Sequence, residues 1–487
     1  MPDSRFNVKY CVLLPIVLAV TIFLWCCPPS FFGSLGDVLT VTQQRTIAIF
    51  AFAALMWIFE IVPNWVTSLM VIVISLLTIS DKSVWFCLNP QDGSVFIPMK
   101  ELMRAFADPV VMLFMGGFMV AIVATKYGID VTMARILLKP FGRNPKMVLL
   151  GVLIVTSSFS MFMSDTATAA IFLTFLAPVF ASLPDTDRKG KTGLVLAIPL
   201  ASNLGGIGTP IGTPPNATAV GNLDSFAGIT IGFGEWAIRM IPFVAVMILF
   251  AWMLLMWFFP FQSKEIVLKI KKDTHRKTYK DYIAWITIPA TILLWMTGQI
   301  HGISSNIIAL IPLVVFTATG VADKNDIRNI NWEVLWLVAG GFALGYALDG
   351  TGLAKALVDS INFSAMNIII MFLVAGLICY LLSNFISNSA TAALLIPIMI
   401  TMGKGVLSSG NAALFNSLGG QAGLSVFIAM CASIAMCLPI STPSNAIATS
   451  TGLVNTREMA KIGIIIGITA FTLGFFWITC LFPFPAA

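Results

Sequence analysis

The sequence predicts an all-α, polytopic membrane protein made of two inverted repeats, each with five crossings, a re-entrant hairpin and a broken helix. Three observations carry that prediction. Of the 487 residues, 58% are hydrophobic and only 10% charged, whereas soluble domains are about one quarter charged. Apolar runs of about twenty residues, the length that lets a helix cross a bilayer, recur from end to end. The chain also repeats itself: Gly116-Gly117-Phe118 returns as Gly340-Gly341-Phe342, Ser164 as Ser387, and Thr213-Pro214-Pro215-Asn216-Ala217 as Thr442-Pro443-Ser444-Asn445-Ala446. Each marker returns in the same order at nearly the same offset. The runs are continuously apolar rather than alternating, which argues against a β-barrel.

The elements follow in order. Residues 1–44 hold a first span at 10–27 and an outer loop. That span lacks a small-residue cleavage site and leads into further spans, so it is not read as a signal peptide. The first repeat, 45–261, has spans at 46–62, 64–80 and 109–125, a broken region at 147–183, a broken span at 193–220 and a span at 238–260. A basic connector, 262–282, leads to the second repeat, 283–487. Its spans fall at 283–300, 304–321 and 332–349, followed by a broken region at 364–402, a broken span at 422–449 and a last span at 462–483. Five crossings per repeat turn the second half upside down, an arrangement common in secondary transporters.

Lys and Arg set the orientation. With a cytoplasmic N-terminus, 21 of the 28 basic residues fall on the cytoplasmic side. The basic loops 135–146 and 184–192 flank the first broken region on both sides. A crossing would put one of them outside, whereas a hairpin entering and leaving by one face keeps both inside. Non-helical backbone at membrane depth is tolerated only when it is buried in protein or lines a cavity. The net charge of +6 thus reflects loop placement, not nucleic-acid binding. Eight scattered Cys and two His, His275 and His301, offer no zinc-ligand spacing. No nucleophile–base pair is evident, so an intramembrane enzyme is not predicted. Breaks around a mid-depth site point to alternating access rather than a continuous pore.

The site is predicted where polar residues interrupt the broken regions. Met161–Pro178 reads MFMSDTATAAIFLTFLAP, and Phe385–Pro397 reads FISNSATAALLIP. Each is an apolar run with a polar knot, Ser164-Asp165-Thr166 in one and Ser387-Asn388-Ser389 in the other, followed by an identical Ala-Thr-Ala-Ala. Polar groups at that depth need partners or a ligand. In the broken spans, Thr213 before Pro214 and Thr442 before Pro443 have the form of an N-cap followed by proline. Thr166 and Ser389 likewise precede Ala-rich helical stretches. Four helix beginnings, each with free N–H groups and about half a positive charge, would then make an anion cradle at mid-membrane. No Lys or Arg lies at 147–184, 195–238, 356–402 or 405–456. Hard cations held by carbonyls, hydroxyls and carboxamides would supply the missing charge.

These motifs, together with the Trp57…Glu60-Ile-Val-Pro63 turn, resemble the divalent anion:sodium symporter family, the di- and tricarboxylate transporters. The resemblance covers nearly the whole chain after span 1. It implies a homodimer in a plasma or inner membrane, with a scaffold part and a transport part moving as an elevator, and no organic cofactor. It implies two sodium sites: Ser160, Ser164, Asp165 and the Gly212 backbone in one, and Ser383, Asn388 and backbone oxygens of Ile386 and Ser441 in the other. Substrate carboxylates would meet Asp165, Thr166 and Thr213 at one end, and Asn388, Ser389, Thr442 and Pro443 at the other. The implied function is sodium-coupled symport of a C4-dicarboxylate or a citrate-like tricarboxylate. Dicarboxylate exchange and symport of sulfate or another inorganic dianion are the alternatives.

Two positions depart from the family pattern. Ser389 stands where Thr is usual and keeps the hydroxyl. Asp165 stands where Asn is usual. Ionised, it would repel a carboxylate by roughly 4 kcal/mol at about 4 Å and an effective dielectric near 20. Either a cation sits between them, or Asp165 is protonated and the carrier is proton-sensitive. Capping the hairpin helix is compatible with both. Of the other acidic residues, Glu60 is expected to anchor a turn, Asp108 to cap the helix beginning at Pro109, and Asp349 to serve an interface.

Overall fold

The computed structural model describes residues 9–28, 30–32, 36, 39–88, 92–266, 278–360 and 367–484. Most of the basic connector and Arg5, both used for orientation above, lie outside these residues. The apolar runs become α1 (Leu14–Cys26), α2 (Val41–Phe59), α3 (Asn64–Thr78) and α4 (Pro109–Lys126). A short helix, α5 (Ile129–Leu138), follows before the first broken region. That region is a helical hairpin, α6 (Pro145–Ser160) and α7 (Asp165–Ser182). The first broken span is α8 (Arg188–Gly206) and α9 (Pro214–Asn222), and α10 (Phe233–Phe258) completes the half.

The second half begins with α11 (Tyr279–Met296), α12 (Ser305–Ala318), the short α13 (Lys324–Arg328) and α14 (Trp332–Gly350). After α14 the axis bends by 66° into α15 (Leu353–Ser360). The second hairpin is α16 (Ile368–Phe385) and α17 (Asn388–Leu407). The second broken span is α18 (Gly420–Ser433) and α19 (Pro443–Ser450), and α20 (Thr456–Phe476) ends the bundle. Among the described residues, six helices are long and apolar enough to span a membrane, with the bent pair as a seventh. The one strand-like pairing described is a bridge between Ser80 and Ile97.

Local chemistry explains where the helices start and stop. Asp108 caps α4, its carboxylate accepting from the Val110 N–H at 2.9 Å, as the sequence predicts. Glu60 ends α2 with a φ of 44°, the one non-glycine left-handed residue described, which turns the chain into α3. Asp349 meets Lys404 at 2.8 Å, joining α14 to the second hairpin. In the turn before α8, Asp187 accepts from the N–H groups of Gly190, Gln262 and Ser263. Burial works to raise its pKa, but these bonds hold its carboxyl below the ordinary carboxylate range.

Both Gly-Gly pairs prove to be packing devices. A Cβ on Gly116 would come within 2.1 Å of the Ala309 carbonyl oxygen, and one on Gly340 within 2.3 Å of Ser68 Cβ. The small residues thus let α4 lie against α12 and α14 against α3. The breaks are stapled by asparagines. Asn216 Nδ2 donates to the carbonyls of Gly206 (3.0 Å) and Thr209 (2.8 Å). Asn445, its counterpart, donates to those of Met436 and Leu438, both at 2.9 Å. Carbonyls orphaned where α8 and α18 end are satisfied in this way.

Candidate functional site

Each hairpin tip is built by the same two devices. Ser164 and Ser387 are the N-caps of α7 and α17, accepting from Ala167 N–H (3.3 Å) and Ala390 N–H (3.2 Å). The caps are therefore these serines and not Asp165, and Thr166 and Ser389 sit inside the first turns rather than ahead of them. Behind each tip a fully buried serine reaches the first helical residue. Ser160 Oγ lies 2.7 Å from both Asp165 Oδ1 and the Ser202 carbonyl. Ser383 Oγ lies 2.8 Å from Asn388 Oδ1 and 3.0 Å from the Ala432 carbonyl. A carboxylate in one half thus occupies the place of an amide in the other.

The two tips and the two breaks open onto one cavity of about 1250 Å³. Its wall includes Ser164, Asp165 and Thr166 from one hairpin, and Ser387, Asn388 and Ser389 from the other. The breaks contribute Gly212, Thr213, Ser441, Thr442 and Pro443. Ser160, Ser383 and Ile386 lie behind this surface and are not part of it. The starts of α9 and α19 differ. Thr442 Oγ1 accepts from Asn445 N–H at 3.3 Å and caps α19, whereas Thr213, predicted as a cap, makes no side-chain cap of α9.

Two cationic side chains reach the same cavity, from loops and helix ends outside the charge-free stretches. Lys126, at the end of α4, contacts Asp326 at 2.5 Å and Asp323 at 3.3 Å. Arg328 follows in α13. Both belong to the end of the cavity formed by α13 and the C-terminus of α4, and Lys126 has its charge engaged there. The helices that carry the tips and breaks contribute no cation to the wall.

The oxygen donors at the tips and breaks are of the kind hard cations take, with no thiol or imidazole in the cavity wall. The backbone packs closely behind Asp165. A Cβ on Gly206 would fall 2.7 Å from Asp165 Oδ1 and 2.4 Å from Thr213 Cγ2, and one on Gly212 would fall 2.2 Å from the Gly206 carbonyl oxygen. Gly206→Ala is therefore expected to displace Asp165 or the break and to cut uptake about fivefold or more, since overpacking costs about 1–3 kcal/mol. Gly410, which has no neighbour within 4 Å, is the control: Gly410→Ala leaves uptake rates in proteoliposomes unchanged.

Sequence reasoning missed Asn64, Asn203, Gly206 and Ser433. Asn64 Nδ2 donates to Ser387 Oγ at 2.9 Å and lines the cavity from α3. Asn203 and Ser433 touch the two break threonines. Asn64 and Asn203 carry a weak signal, being carboxamides within predicted spans.

A bundle of apolar helices enclosing a polar cavity bounded by paired helix breaks defines a membrane transporter rather than an enzyme. A family model described as the citrate transporter, CitMHS, matches residues 54–419, and the chain belongs to that family. The sequence is 27% identical over 451 residues to the sodium-dependent dicarboxylate transporter SdcS of Staphylococcus saprophyticus, covering 86% of this chain and 82% of that protein. It is 30% identical over 450 residues to an uncharacterized transporter of Schizosaccharomyces pombe, covering 91% of this chain and 48% of that one. To the inorganic phosphate transporter PHO87 of Saccharomyces cerevisiae it is 27% identical over 401 residues, 77% of this chain and 42% of that protein. The chain thus spans about half the length of the two fungal relatives. These findings agree with the resemblance to the divalent anion:sodium symporters drawn from the motifs.

Proposed function

We propose that the protein is a secondary active transporter that couples sodium to the movement of a divalent anion, with a C4-dicarboxylate or citrate-like tricarboxylate as its solute. One observation supports this reading above the others: two hairpin tips and two helix breaks, all short of basic side chains, line a single cavity. The N–H groups at the starts of α7, α9, α17 and α19 attract an anion. Helix ends alone compensate a dianion poorly, so co-transported cations complete the balance. Asp165, Thr166, Thr213, Asn388, Ser389, Thr442 and Pro443 are the proposed solute contacts. Ser160, Ser164, Asp165 and Gly212 form one proposed sodium site, and Ser383, Ile386, Asn388 and Ser441 the other. The sodium-dependent relative SdcS supports this choice of cation.

The reading includes an elevator mechanism in a homodimer, with α3, α4, α12 and α14 as scaffold and the hairpins with the broken spans as the moving part. By the distribution of Lys and Arg, the N-terminus and the cavity end bearing Lys126 and Arg328 are cytoplasmic; the membrane is a plasma or inner membrane. PHO87 favours a second reading, an inorganic dianion such as phosphate in the same site.

The test is uptake of labelled succinate, citrate, sulfate and phosphate into proteoliposomes under gradients of sodium, potassium or protons alone. Accumulation of a carboxylate only with sodium is the expected result. Phosphate or sulfate accumulation in its place selects the second reading. No movement of any of the four anions under any gradient removes both.

A further inference from the structure

The two break threonines stand in matched places of the repeat, yet hydrogen-bond stoichiometry gives them opposite polarity. A threonine hydroxyl has one hydrogen and two lone pairs, and a carboxamide has two hydrogens on nitrogen. Asn445 Nδ2 lies 2.9 Å from the carbonyls of Met436 and Leu438, so both its hydrogens are spent and its Oδ1 can only accept. Asn203 Nδ2 lies 3.3 Å from that Oδ1 and 3.3 Å from Thr442 Oγ1, so Asn203 presents its NH2 group to both. Its own Oδ1 accepts from Ser444 Oγ at 3.3 Å. Thr442 Oγ1 thus accepts from Asn203 and from Asn445 N–H. Its lone pairs are filled and its hydrogen remains, 3.0 Å from Ser444 Oγ, free to turn to a better acceptor.

Thr213 is the reverse. Its Oγ1 lies 3.1 Å from Ser433 Oγ, and Ser433 gives its one hydrogen to the Ala429 carbonyl at 3.0 Å. Thr213 must therefore donate to Ser433. No N–H of α9 reaches its side chain, so Oγ1 keeps lone pairs that its own helix does not claim, in a wall that Thr213 shares with Asp165. In the opposite half, Asn388 turns Oδ1 toward Ser383 Oγ at 2.8 Å, so its NH2 group is directed away from that serine, in the wall of the cavity. Asn203 and Ser433 are buried, at 0% and 2% exposure, and line no part of the cavity. Each comes from the repeat opposite the threonine it sets.

We propose that Asn203 and Ser433 are positioning residues that polarise the site: Ser433 turns Thr213 into a cation-facing acceptor, and Asn203 turns Thr442 into an anion-facing donor. This rests on the transport reading and adds to it an end-on arrangement of the solute. One carboxylate of a dicarboxylate meets Thr442 and Asn388, and its other end is bridged to Asp165 and Thr213 by a cation.

The experiment uses Ser433→Ala, Ser433→Thr and Asn203→Ala in the full chain, reconstituted, with the best-transported anion of the wild type as probe. Two constants are read: the half-saturating sodium concentration, and the KM for the anion at saturating sodium. Ser433→Ala is expected to raise the sodium constant about tenfold and the anion KM less than about twofold, the loss of one charge-assisted contact. Ser433→Thr keeps the hydroxyl and restores wild-type sodium dependence. Asn203→Ala is expected to raise the anion KM about tenfold with the sodium constant within about twofold. Sodium-induced thermal stabilisation of the detergent-purified protein gives a second readout, lost in Ser433→Ala and kept in Ser433→Thr. If Asn203→Ala does not fold, the Ser433 pair decides alone. Equal shifts in both constants, or none, overturn the polarity, whereas a wild type that moves no anion overturns the transport reading itself.

Discussion

Alanine at Asn388 or at Thr442 is expected to abolish measurable uptake while leaving the protein folded and of unchanged oligomeric state. Both side chains line the cavity; Thr442 Oγ1 accepts from Asn445 N–H and keeps its hydrogen, and Asn388 turns Oδ1 toward Ser383 and keeps its NH2 group for the solute. Hydrogen bonds to charged groups are worth about 1.5–3 kcal/mol, which corresponds to roughly 10- to 150-fold in affinity for each lost donor. The loss is larger for Asn388, because its amide oxygen also belongs to the proposed second sodium site, so solute and cation binding fall together. Uptake of labelled solute with size-exclusion profiles alongside checks this. Normal uptake in both variants removes the assignment of the site.

Asp165→Asn is expected to be the most informative single substitution. It changes one charge with little change in shape, and it gives the first tip the amide that the second has in the matching place, where Asn388 lies against Ser383. At an effective dielectric near 20, a cation about 4 Å from the carboxylate loses roughly 4 kcal/mol of attraction. Partial compensation by the amide oxygen leaves an expected rise of about 30-fold or more in half-saturating sodium. The charge moved per solute should change as well, measured as uptake under clamped membrane potential. Unchanged sodium and pH dependence in this variant takes Asp165 out of coupling.

Much of the fold was legible because lipid imposes a severe code. Every span must satisfy its own backbone, so helices read directly as apolar length, and interruptions read as cavities. The markers at 116–118, 164 and 213–217 and their later counterparts located both hairpins and both breaks. The site was legible only as a set of backbone positions. Asp165 was open to reading as a cap until Ser164 proved to bond to the Ala167 N–H. Thr213 and Thr442 looked equivalent, since each precedes a proline. The glycine pairs at 116 and 340 carried the symmetry signal, and their contacts are with neighbouring protein segments packed against them.

Composition and spacing alone establish the all-helical membrane fold, the repeat, the two polar tips and the lack of basic residues in the stretches that carry them. Each of these is a property of composition or spacing along one stretch of chain. That the tips and breaks share one cavity, and which hydroxyl gives and which receives, follows from the folded arrangement. Those facts depend on partners 220 to 242 residues away, such as Ser433 for Thr213 and Asn203 for Asn445. A hydroxyl hydrogen goes to whichever acceptor folding brings near, and no local pattern records that choice.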